Sequence, residues 1–233
     1  HLALHAANRC LTDYQHGVYL IRLENVTAGA PSQESLITAL ATAVQLPFSD
    51  KQTLQKQLLH YLSEKEMLLL WDQFEPFVSA AIFLPTLLSQ APKIKCLVTS
   101  QLALNLPQET TLPLNGLAYP DNFREPSPAA YPALTLFERS AQQVAPHFAL
   151  TAENTPHVAQ ICRLVDGLPL ALVLAASAVR AFTPAQIAQQ LQQDPDLLTS
   201  HSRDLPDRHR GLRALFNCTW ALLSPTDQTT FAR

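Results

Sequence analysis

Leu68-Leu69-Leu70-Trp71-Asp72 is the stretch on which the reading of this chain turns. Four apolar residues end abruptly in a carboxylate, and Gln73-Phe74-Glu75 follows. A short, continuous apolar run bounded by polar residues is the pattern of a strand buried on both faces, the central kind in a parallel α/β sheet. Ligands of such sheets bind just outside the carboxyl ends of the strands. An Asp placed there stands where a magnesium ion and phosphates would be held. The same Asp would serve equally well as a helix cap at a strand-to-helix turn, and this stretch alone leaves both readings open.

Outward from it, strands and helices alternate. Val18–Leu23, after Gly17, reads as a strand rich in β-branched and aromatic residues. Residues 1–14 read as a helix already under way. Leu36, Ile37, Leu40, Ala43 and Val44 mark a helix over 32–46 that Pro47 ends, and 53–62 gives another. Residues 74–90 read as one helix kinked at Pro85. Ile94–Thr99 reads as a second buried strand and Thr110–Leu114 as a shorter one. This alternation predicts a parallel sheet with helices on both faces.

The pattern changes after residue 118. Pro120, Pro126, Pro128 and Pro132 mark 119–132 as a linker. From 133 to 200 the periodicity is helical throughout: Leu134, Phe137, Ala141 and Val144, then Val158, Ile161, Cys162 and Val165, then 170–182. Thr183-Pro184-Ala185-Gln186 carries the signature of a capped helix start. Residues 201–233 begin with a polar, charged stretch. The expected domains are therefore 1–118, α/β; 119–132, linker; 133–200, helical; and 201–233, a linker leading into something further. The chain starts at His1 inside one helical pattern and stops at Arg233 inside another, as an excised piece of a longer polypeptide would.

Composition narrows the function. Hydrophobic residues make up 47% of the 233, enough for a substantial core. Charged residues are 15%, against roughly 25% in ordinary soluble domains, so contact with further parts of a larger protein is expected. A net charge of −3 offers no dominant basic field, which argues against direct nucleic-acid binding by this segment. Arg203, Arg208, Arg210 and Arg213 cluster, but Asp204 and Asp207 interleave with them. Cys10, Cys96, Cys162 and Cys218 lie far apart and read as free thiols in a reducing, cytoplasmic setting. No apolar run reaches membrane-spanning length. His1 and His5 share a helix face that could hold a metal, though a surface pair is the simpler reading.

Asp166-Gly167-Leu168-Pro169-Leu170 joins two helices, with Gly suited to end one and Pro to start the next. An apolar strand ending in Asp72, a strand ending Val98-Thr99-Ser100, and this Gly-Leu-Pro-Leu occur in order. Together they resemble the nucleotide-binding domain of STAND-class P-loop NTPases, the NB-ARC-like group of bacterial signalling ATPases and transcription regulators. The resemblance covers nearly the whole chain, and Leu212-Arg213-Ala214-Leu215 falls where that family begins a winged-helix domain.

The resemblance implies a P-loop-type parallel sheet followed by a helical subdomain, with ATP or ADP and magnesium as cofactors. Asp72 matches the Walker B aspartate, which orients magnesium. Gln73 stands at a catalytic position where relatives carry Asp or Asn; a neutral amide can place a water but cannot take its proton. Thr99, Ser100 and Gln101 match the sensor strand end beside the γ-phosphate, with Gln101 where relatives commonly have Arg. Gly167, Leu168 and Pro169 match the motif that packs near the base, so Asp72 and Pro169 are expected to line one cleft. The glycine-rich phosphate loop with its Lys is absent from the 233 residues, and in the family it would end immediately before residue 1. The implied function is a nucleotide-dependent switch, a slow ATPase at most, whose partners are its own further N- and C-terminal domains and other copies of itself. The alternative is a degenerate scaffold for protein–protein interaction that keeps the fold without the chemistry.

Overall fold

The computed structural model describes residues 1–23, 31–47, 52–120 and 130–193. Its contacts divide the chain into two compact units, His1–Leu112 and Pro113 onward. The expected winged-helix start at Leu212–Leu215 and most of the expected linker lie outside the described residues.

The first unit is a three-stranded, all-parallel sheet in the order β1 (Val18–Arg22), β2 (Leu68–Asp72), β3 (Lys95–Val98). The register pairs Tyr19 with Leu69, Arg22 with Asp72, and Trp71 with Val98. Sequential order with right-handed crossovers puts both connections on one side of the sheet. That side carries α2 (Gln33–Ala43), α3 (Leu54–Ser63) and α4 (Phe83–Gln90), packed with Leu69 and Trp71 around one core. Leu68 and Leu70 point the other way because strand side chains alternate, and there they meet Ala7 of α1 (Leu2–Arg9). β2 is thus covered on both faces from Leu68 to Trp71, as a continuous apolar run requires.

Two expectations change here. Residues 74–90 form a 3-10 segment, Glu75–Ala80, followed by the separate helix α4. Pro85 falls in the first turn of α4, where a missing N–H costs no intrahelical bond, so it kinks nothing. The strand expected at Thr110–Leu114 is absent. Leu112 and Leu114 are 78% and 69% exposed, and Thr111 turns its hydroxyl to Glu109. Without a partner strand or a core to enter, an apolar triplet has no reason to extend.

The second unit holds α5 (Pro132–Val144), α6 (Thr155–Leu164), α7 (Pro169–Ser177) and α8 (Pro184–Gln193) around a core of Leu134, Phe137, Ile161, Cys162, Leu172 and Ile187. α8 starts with a reciprocal capping box: Gln186 N–H donates to Thr183 Oγ1, and Gln186 Oε1 accepts from Thr183 N–H. α6 ends in a Schellman motif, with Gly167 N–H donating to the Cys162 carbonyl and Asp166 N–H to that of Arg163. Asp166, not Gly167, occupies its left-handed C′ position, at φ 49°, and Gly167 follows at φ 61°. Gly116-Leu117-Ala118-Tyr119 lies across this turn as a strap. Leu117 N–H donates to the Gly167 carbonyl at 2.8 Å, and Tyr119 Oη to Asp166 Oδ1 at 3.0 Å.

Candidate functional site

Asp72 closes the central strand at its carboxyl end, half-buried, where the apolar run must surface. Its Oδ1 accepts a 2.7 Å hydrogen bond from Thr99 Oγ1. The same hydroxyl oxygen accepts Gln73 N–H at 3.0 Å. Backbone bonds flank this contact: Thr99 N–H donates to the Trp71 carbonyl at 2.9 Å, and Phe74 N–H to the Thr99 carbonyl at 3.0 Å. The strand ends of β2 and β3 are therefore laced together just beyond the last paired residues, Trp71 and Val98.

Gln73 sits at φ 62°. A left-handed residue other than Gly or Asn costs on the order of 1 kcal/mol or more, and the Gln73 N–H bond to Thr99 holds this turn. The turn redirects the chain so that Phe74 enters the core edge-on to Trp71, with ring centroids 5.9 Å apart. Glu75 then opens the 3-10 segment and accepts the Gln101 N–H at 3.0 Å. That bond occupies a carboxylate oxygen in tying two loops together, which suits a structural role better than that of a base. Ser100 is exposed and accepts the Leu102 N–H, and Gln101 is exposed.

Sequence reasoning brought Asp72, Gln73, Thr99, Ser100 and Gln101 to one end of one sheet, and they lie there. It missed Arg22. This residue ends β1 directly across from Asp72, exposed, and places a positive charge on the same rim. The signal was available: Arg22 follows Val18–Ile21 as Asp72 follows Leu68–Trp71. A cavity of about 540 Å³ between β1 and α2 takes in Arg22, Ser35, Thr38 and Thr42, but not Asp72. In the second unit, Gly167 is buried under the strap, while Leu168 and Pro169 are exposed and start α7.

The donor set at Asp72 suits a hard divalent cation. Magnesium is usually held by one or two carboxylates, with waters and substrate phosphates completing its shell. Asp72 supplies one carboxylate, with Oδ2 unpartnered among the described residues. No three His, Cys, Asp or Glu side chains converge among the described residues, so an all-protein cage is not on offer there. His16 instead fastens a loop: its Nδ1 accepts the Glu66 N–H at 3.0 Å.

Two of the thiols sit where the thiolate form is disfavoured. Burial pushes Cys96 up to about 11 and Cys162 up to about 12. The indole N–H of Trp71 is buried without a hydrogen-bond partner among the described residues, and its contact with the Cys96 thiol offsets little of that burial. No helix among the described residues is long and apolar enough to cross a membrane.

The chain is 32% identical over 207 residues to a Mycobacterium tuberculosis protein provisionally named an HTH-type transcriptional regulator, across 88% of this chain and 22% of that one. A Mycobacterium bovis protein of the same provisional name matches with the same figures. An uncharacterized Mycobacterium tuberculosis protein is 27% identical over 233 residues, 100% of this chain and 56% of its own length. The chain thus spans 22% of the length of the two provisionally named regulators and 56% of the third relative. No protein-family model and no solved structure matches.

Proposed function

We propose that this chain is a nucleotide-responsive switch module of a larger transcriptional regulator. One observation carries the reading: a half-buried aspartate at the carboxyl end of the central parallel strand, oriented by a hydroxyl from the neighbouring strand and with its second oxygen unpartnered among the described residues. That is where anionic ligands of α/β sheets bind. Asp72 would hold magnesium through oxygen or water, and the ion would neutralise the phosphates of ATP or ADP. Gln73, Ser100 and Gln101 would border the phosphates. The provisional names of the mycobacterial relatives point to transcription as the output, and the winged-helix domain the resemblance implies would deliver it.

Neither Gln73 nor Glu75 suits proton abstraction. Gln73 is a neutral amide, and Glu75 is engaged with a backbone N–H. Exchange of ADP for ATP, rather than fast hydrolysis, would drive the switch, by favouring one of two conformations through differential affinity. The glycine-rich phosphate loop that would supply most of the grip is not among these 233 residues, so the test uses the intact protein. Calorimetric titration of the intact protein with ADP and with Mg·ATP should give saturable heats for both.

The same bond at Glu75, together with Gln101 in place of a cation, favours a second reading. In it the sheet serves as a scaffold for protein contacts with no nucleotide. Flat titrations with both nucleotides, on protein that is folded by circular dichroism, would select it.

A further inference from the structure

Given the nucleotide reading above, on which this rests, we infer that Thr99 is a positioning residue for the Asp72 carboxylate rather than a reader of phosphate. A hydroxyl has one proton to give. Thr99 gives it to Asp72 Oδ1 at 2.7 Å, a well-formed O–H···O hydrogen bond. Its oxygen meanwhile takes the Gln73 N–H at 3.0 Å. With its proton committed, the group has nothing left to donate to an anion. What it does instead is fix two things at once.

It selects one orientation of the carboxylate, with Oδ1 held to the protein and Oδ2 left for a hydrated cation. It also clamps the left-handed turn at Gln73, so that the residue after the aspartate cannot relax and swing the carboxylate away. The backbone of Thr99 is tied on both sides, to the Trp71 carbonyl and to Phe74 N–H. The clasp therefore has a fixed base. Removing a partner that orients a metal-binding group from behind typically costs about 10–100-fold in affinity. Ser100 is exposed, its hydroxyl accepts a local N–H, and among the described residues its own proton has no acceptor. Phosphate contact at this strand end falls to Ser100.

The test measures ADP affinity of the intact protein by calorimetry, in magnesium and in EDTA, for the wild type, Asp72→Asn, Thr99→Val and Thr99→Ser. Magnesium should tighten ADP binding to the wild type. Thr99→Val should lose that enhancement by roughly tenfold or more, matching Asp72→Asn, with its affinity in EDTA unchanged. Thr99→Ser should restore the enhancement. Should Thr99→Val fold poorly, Thr99→Ser decides alone: a serine variant as uncoupled from magnesium as Asp72→Asn overturns the inference. Thr99→Val with the full magnesium enhancement, beside an Asp72→Asn that has lost it, overturns the inference and leaves the nucleotide reading standing. A wild type that binds no ADP in either condition overturns both.

Discussion

Gly116 lies against the Asp166 carbonyl so closely that a Cβ on Gly116 would fall 1.8 Å from that oxygen. The contact is backbone on backbone. Gly167 meets the strap in the same way, with a Cβ placed 2.1 Å from the Leu117 carbonyl oxygen. The strap and the helix–helix turn therefore fit together only because both carry glycine where they cross.

Gly116→Ala should destabilise the helical unit by about 1–3 kcal/mol, the usual cost of forcing atoms into a filled site. Gly167→Ala should cost more, because its left-handed φ adds strain to the overlap. Gly17→Ala is the control. It too has a positive φ, but a Cβ there meets only the Tyr19 ring at 3.6 Å, so strain alone is added. Urea unfolding followed by far-ultraviolet circular dichroism measures the order. A Gly116→Ala midpoint equal to wild type would show that the strap is not held against the turn in solution.

Glu109 should make its loop acid-sensitive. Its carboxylate accepts N–H groups from Leu106 and Leu104 and the Thr111 hydroxyl, and the backbone bonds hold it below the ordinary carboxylate range. The folded loop therefore prefers the ionised form. Its contribution is complete above the ordinary carboxylate pKa and is lost as pH falls through the depressed folded value. Amide exchange at Leu104 and Leu106 checks this. Protection should persist near ~pH 6 and fade toward ~pH 3, and Glu109→Gln should lack it at both. Equal protection in Glu109→Gln at neutral pH would contradict the role of charge.

Cys96 and Cys162 should resist alkylation while the protein is folded. With the thiols raised to about 11 and about 12, almost none is thiolate at neutral pH. Mass spectrometry after brief exposure to a maleimide should find both unmodified in buffer and modified in denaturant. Rapid labelling of Cys96 in the folded state would mean that its thiol is not enclosed beside Trp71.

Thr183→Ala removes half of a reciprocal cap at the start of α8 and should cost about 1 kcal/mol. Thr183→Ser should recover most of it, read as a midpoint shift in the same urea experiment. A Thr183→Ala midpoint at the wild-type value would leave the cap without weight.

What could be read from the chain was whatever its chemistry imposes locally. Leu68–Trp71 had to be buried on both faces, and Thr183 with Gln186 had to cap, because both signals are complete within a few residues. Contacts between distant residues were not legible. Nothing in the sequence says that Thr99 would reach Asp72 or that Gly116 would cross Gly167. Thr110–Leu114 misled for the same reason: three apolar residues in a short run suit a strand, but a strand also needs a neighbour to bond with. At Asp166 the rule was right and the residue wrong. Either Asp166 or Gly167 could close the helix, and Asp tolerates the left-handed position well enough to take it.

On the proposed reading, Asp72 couples a metal-bound nucleotide to this sheet. The most direct measurement is the affinity of the intact protein for Mg·ATP and for metal-free ADP, wild type against Asp72→Ala. Mg·ATP affinity should fall at least about tenfold in Asp72→Ala, with metal-free ADP binding nearly unchanged. Equal Mg·ATP affinity in the two proteins would contradict it.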